Sequence, residues 1–123
     1  MSDLTFYEDP EDIPVSVPRE AMRFESVDVQ PYPDGRRVKL AFTFPPFLER
    51  PSVEAWVTNA EGATVATMML IEAMEQSFDF TLHLRDPQPR GAHTLHLQLF
   101  YLLNDEDPED KQIMDERAVA FSL

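Results

Sequence analysis

Three histidines, six serines and one dense run of carboxylates are the residues whose chemistry goes beyond packing, so their spacing comes first. His93 and His96 are three apart within a run that alternates apolar and polar residues. On a strand that spacing sends them to opposite faces, so they cannot chelate one metal together. His83 falls on the outward face of its own run. All three read as surface histidines, because a zinc site needs three or four converging ligands. None of the serines (Ser2, Ser16, Ser26, Ser52, Ser77, Ser122) has a nucleophile-elbow context or is brought beside a histidine by sequence logic. The three glycines each fall in a turn, leaving none for a phosphate-binding loop. The expectation is a protein with no catalytic residue and no cofactor.

The carboxylates gather in Asn104-Asp105-Glu106-Asp107-Pro108-Glu109-Asp110. Calcium takes six to eight oxygens, and clustered acids in a loop can supply them, with Asp105, Asp107 and Asp110 as the candidate ligands. The run lacks the spacing and central glycine of an EF-hand. It reads first as a solvated acidic loop, with calcium or a basic partner surface as the alternatives. Phe47 and Leu48 stand at the tip of a proline-bounded loop, where one of them is expected to plug the end of the core, the alternative being an exposed anchor for a ligand or protein.

The net charge is -13. Nucleic acid and anionic membranes both call for basic surface, so neither is an expected partner. The charge is uneven. Residues 1–20 hold six acids and one base, and residues 104–116 hold seven acids and one base. The other 90 residues, with ten acids and eight bases, are close to neutral. Cysteine is absent, which excludes disulfides, thiolate catalysis and cysteine-ligated metals. No run approaches the ~18 apolar residues of a membrane span. The first residues have neither the basic nor the apolar region of a secretory signal, so the expected compartment is the cytoplasm.

The elements that must position these groups alternate with period two. Val38, Leu40, Phe42 and Phe44 alternate with Arg37, Lys39, Ala41 and Thr43. The same pattern recurs at Phe78, Phe80, Leu82 and Leu84, at Leu95, Leu97 and Leu99, and at Val119, Phe121 and Leu123. Each run is a strand with one buried face. Turn residues separate the runs. The pattern predicts strands over 21–30, 36–44, 52–58, 63–72, 76–85, 92–103 and 115–123. Met22 and Phe24 are out of phase with Val27 and Val29, which calls for an extra residue near Glu25 and Ser26. Residues 1–20, with Pro10, Pro14 and Pro18, read as an extended arm, and residues 21–123 as one domain.

Seven such strands in about 100 residues suit an antiparallel sandwich. The run Val38-Lys39-Leu40-Ala41-Phe42-Thr43-Phe44-Pro45-Pro46 resembles the second strand and proline-led loop of immunoglobulin-like and fibronectin-type-III-like domains. Pro89-Arg90-Gly91-Ala92-His93-Thr94-Leu95-His96-Leu97 is similar to the glycine-led start of their sixth strand, although His93 stands where a tyrosine is usual and the antibody cysteine pair is missing. The resemblance implies an immunoglobulin-like β-sandwich, with the first, second and fifth strands in one sheet and the fourth, third, sixth and seventh in the other. It implies no single function. The expected core is Val27, Val29, Val38, Leu40, Phe42, Phe44, Val53, Val57, Phe78, Phe80, Leu82, Leu95, Leu97, Leu99, Val119 and Phe121.

If Val53, Ala55 and Val57 point inward, Trp56 points out, and the same alternation turns Met68, Leu70, Phe100 and Leu102 outward beside it, with Ala118 and Ala120 adjoining. Reversed parity would bury Trp56 but also Glu54. An apolar outer face of that size is a docking face for another protein or a second copy, unless the arm covers it with Phe6, Tyr7 or Ile13. The expected function is a non-catalytic interaction or accessory module, with a small-ligand or calcium-binding sandwich as the alternative.

Overall fold

The computed structural model describes residues 15–86, 89–104, 106–107 and 109–123. Seven strands form two antiparallel sheets: β1 (Ser26–Pro31), β2 (Arg37–Thr43), β3 (Ser52–Thr58), β4 (Thr64–Leu70), β5 (Ser77–His83), β6 (Ala92–Leu102) and β7 (Lys111–Ser122). One sheet runs β1-β2-β5 and the other β4-β3-β6-β7, the grouping expected from the resemblance.

The alternating runs form these strands because each has one apolar face to bury and turn chemistry at its ends. Between β3 and β4, the Asn59 side chain accepts from the backbone N–H groups of Glu61 and Ala63, and Gly62 takes the left-handed conformation at φ 84°. The inward residues of β2 and β6 (Val38, Leu40, Phe42; Leu95, Leu97, Leu99) are fully buried. Phe24, Phe42, Phe44, Phe78, Phe80 and Phe47 form one aromatic cluster with neighbouring ring centroids 5.5 to 6.3 Å apart. Full burial, as of Phe24, Phe42 and Phe44, contributes about 1.5–3 kcal/mol per ring. Val27, Val29, Phe78, Phe80 and Phe121 pack against this core half-buried.

Three expectations change. The first strand starts at Ser26 rather than residue 21. The phase slip marks where the chain leaves β2: the Phe24 N–H donates to Asp115 Oδ2 at 2.9 Å and Arg117 donates to the Phe24 carbonyl at 2.8 Å, both from β7 of the other sheet. Met22 and Phe24 thereby enter the core between the sheets. The last strand begins at Lys111, four residues early, because a register shift opposite Leu99 and Phe100 interrupts its alternation. His93 is not a surface residue. It lies on the inward face of β6, with Nδ1 3.0 Å from the Gly91 carbonyl and its ring stacked on Phe121. His83 is exposed and His96 half-buried.

The loops 44–51, 71–76 and 103–110 share one end of the sandwich, because Thr43 pairs with Ser77 and Ser52 with Phe100. The chain also arrives there. Val17 bridges Phe47, its N–H donating to the Pro46 carbonyl at 2.9 Å and its carbonyl accepting from Leu48 at 3.0 Å. Phe6, Tyr7 and Ile13 lie outside the described residues. Among the described residues, no helix is long and apolar enough to cross a membrane.

Candidate functional site

The outer face of the four-stranded sheet takes its character from the parity of β3. Val53, Ala55 and Val57 are fully buried, which turns Glu54 and Trp56 outward and removes the reversed parity. Trp56 is half-buried because it lies flat on His96, the residue opposite it on β6, with ring centroids 5.1 Å apart and planes 12° apart. Thr58 Oγ1 lies 3.1 Å from His96 Nε2 and fixes the imidazole in that stack. A hollow of about 330 Å³ opens beside the pair, lined by Trp56, His96, Gln98, Glu116, Arg117 and Ala118. Ala118 and Ala120 are exposed, as the alternation predicts, and Ala118 gives the hollow a low wall. His96 is the partner that sequence reasoning left unassigned. Its place opposite Trp56 is set by the pairing of β3 with β6, which neither run carries alone.

Two of the expected neighbours face the other way. Met68 and Leu70 pair with Ala55 and Val53 and pack against the core. Directly opposed residues in an antiparallel pair share a face. A register shift at Val57 and Thr58 leaves both Val65 and Ala66 buried, so every later residue of β4 is turned over. Thr67 and Met69 take the outward places, Met69 at 53% exposure. Phe100 does lie on the outer side, yet it is 1% exposed and outside the central core. The Lys111 ammonium sits 4.6 Å above its ring and pairs with Glu54 at 3.0 Å, so an ion pair spanning three strands covers it. Leu102 is half-buried.

At the loop end, Phe47 is half-buried edge-on against Phe44 at 6.3 Å, while Leu48 is 68% exposed, which divides the plug and the free side chain between them. Arg19 forms a two-pronged contact with Glu49, at 2.6 and 3.0 Å, and lies 4.6 Å over the Tyr101 ring. The hydrogen bond from Arg19 holds the Glu49 carboxyl below the usual carboxylate range. Burial, reinforced by the Glu49 charge, pushes the Tyr101 phenol up to about 12. Its hydroxyl donates to the Glu49 carbonyl at 3.0 Å. These groups and Arg50, Ser52 and Glu72 line a polar cavity of about 310 Å³. Glu72 takes a left-handed backbone at φ 50°, and its N–H donates to Ser52 Oγ.

Of the candidate calcium ligands, Asp105 lies outside the described residues. The Asp107 carboxylate accepts from the Glu109 N–H at 3.0 Å, and the Asp110 N–H donates to the Asp107 carbonyl at 3.1 Å. Asn104 accepts likewise from Glu106. These side chains serve the turns of the loop. Among the described residues, no three acids or histidines converge in a way that could hold a metal.

No protein-family profile and no curated protein sequence matches the chain. Solved structures do. A glycosyl hydrolase family 2 member from Bacteroides cellulosilyticus DSM 14838 superposes on 82% of the chain with a TM-score of 0.56 at 14% identity. A second structure of a Bacteroides cellulosilyticus family 2 member, from microfluidic crystals, also covers 82% with a TM-score of 0.56, at 15% identity. The chain spans only 15% and 14% of those two proteins. At such identity the likeness shows the fold alone: this chain is a seven-stranded antiparallel β-sandwich of the kind found as one part of much larger chains.

Proposed function

We propose that this sandwich is a non-catalytic accessory module that docks another protein, or a second copy of itself, through the outer face of its four-stranded sheet. One observation carries the reading: the Trp56–His96 stack stands half-open beside the low wall of Ala118. A flat aromatic beside small residues is a surface onto which a partner's side chain can close at little entropic cost. The small share of the matched chains that this fold occupies supports an accessory role.

The test places a long charged side chain in the hollow. Ala118→Arg is exposed and leaves the core intact. Partners are captured from the native source with wild-type chain and with Ala118→Arg, and sedimentation of the purified chains reports self-association. A specific partner, or a dimer, held by the wild type and lost with Ala118→Arg is the expected result. Equal capture by both chains overturns the assignment of the face.

A further inference from the structure

A sheet edge offers unpaired backbone groups to any extended chain, and proteins blunt it with charge, proline or bulges. Three of the four edges here are blunted. β1 carries Asp28 and Pro31, and β5 carries Asp79. β7 carries the run Asp115-Glu116-Arg117 beside its register shift. β4 is different. Residues 63–71 hold no charge, no proline and no glycine. The register shift of β4 lies near Val65, where the carbonyl accepts from the Arg85 N–H at 2.8 Å. Past that point, over 66–70, β4 pairs only with β3 among the described residues. Exposed apolar side chains stand at the same place: Met69 at 53% on β4, and Ile71 at 52% and Met74 at 75% in the loop that follows it.

We infer that β4 is a receiving edge, which pairs with an extended strand of a partner protein whose own run is uncharged and continues into lysine or arginine at the loop end of the sandwich. This rests on the docking reading above and gives it a mode. Backbone pairing along 66–70 supplies the register, and Met69 and Ile71 on the outer side, with Met74 beyond them, clamp alternate side chains of the incoming strand. The choice of partner follows from charge. A second copy, antiparallel on the same edge, would bring Glu61 of one chain toward Glu72 and Glu75 of the other, on a protein of net charge -13. A basic continuation meets Glu72, Glu75 and the field of Glu106, Asp107, Glu109 and Asp110 at the loop end.

The experiment titrates the full-length, isotope-labelled chain with a synthetic peptide of five alternating threonines and valines followed by two lysines. Amide shifts and hydrogen exchange are read residue by residue. The expected result is a shift confined to β4 and its flanks, with alternate amides in 66–71 exchanging about tenfold or more slowly. The same peptide ending in two glutamates should bind about tenfold more weakly. Thr67→Lys, an exposed outward position, should abolish binding without altering the remaining spectrum. Shifts at Trp56, His96 and Ala118 with β4 silent would overturn strand addition and leave the docking face standing. A dimer of the wild-type chain that Thr67→Lys dissolves would overturn the choice of partner. An unmoved spectrum at millimolar peptide would overturn the receiving edge.

Discussion

The two sheets share one core and present opposite outer faces. On β1-β2-β5 the outward residues include Ser26, Asp28, Gln30, Arg37, Lys39, Ala41, Thr43, Asp79, Thr81 and His83, nearly all of them polar. Ser26 bonds Thr43 at 2.6 Å, Tyr32 bonds Thr81 at 3.2 Å, and Arg37 lies over Tyr32 while pairing with Asp34. On β4-β3-β6-β7 the outward residues include Trp56, Met69, Phe100, Ile113, Ala118 and Ala120. Among the described residues, none of the exposed large apolar side chains lies on the three-stranded sheet. A face that only meets water needs polar alternation. The four-stranded sheet departs from that rule, with Trp56 half-open and Met69 exposed on its outer face.

The sharpest way to test this contrast is to remove one outward side chain from each sheet. Phe100→Ala deletes a ring buried under Lys111 and should cost about 3–4 kcal/mol in denaturant unfolding, the scale of a core deletion. Thr81→Ala on the three-stranded sheet should stay within about 0.5 kcal/mol. Equal costs would show that Phe100 is not covered as described.

Lys111→Ala removes both the ring's cover and the partner of Glu54, and should cost about 1–2 kcal/mol. Part of that loss should disappear in Glu54→Gln/Lys111→Ala relative to the sum of the single variants, because the two groups touch. A strictly additive cycle would mean that the ion pair is not formed.

At the loop end the expected effects are set by pH. Tyr101 stays protonated in the folded chain up to about 12, above its ordinary value of 10.0, so between those two values the native state holds a proton that the unfolded chain has lost. Stability should be fully retained below pH 10 and fall as pH rises through that window. Ultraviolet titration of the folded chain should show one of its three tyrosines ionising last, and Tyr101→Phe should delete that phase.

The smallest effect concerns Glu49. Its depressed value means that its contribution is present above the unfolded carboxylate range and lost as pH falls through the lower folded value. Its carboxyl resonance should titrate below an ordinary glutamate and return toward it in Arg19→Gln. An unchanged titration would break the contact that ties the arriving chain to this end.

Alternation by itself determined that the chain is built of strands and which faces of β2, β5 and β6 turn inward, because the side-chain period of a strand is local and half of each run had to be hidden from water, whereas the grouping into two sheets came from the resemblance to immunoglobulin-like domains. It favoured an outward Trp56, since the reverse would bury the Glu54 carboxylate, but the parity was decided by the complete burial of Val53, Ala55 and Val57. Tertiary structure decided whatever depended on register. One shift near Val65 turned over the outer half of β4 and sent Met68 and Leu70 to the core, and another on β7 brought Lys111 over Phe100. A bulge adds one residue without changing composition, yet it moves every side chain beyond it to the other face, so its consequence is written only in the pairing of strands distant in sequence.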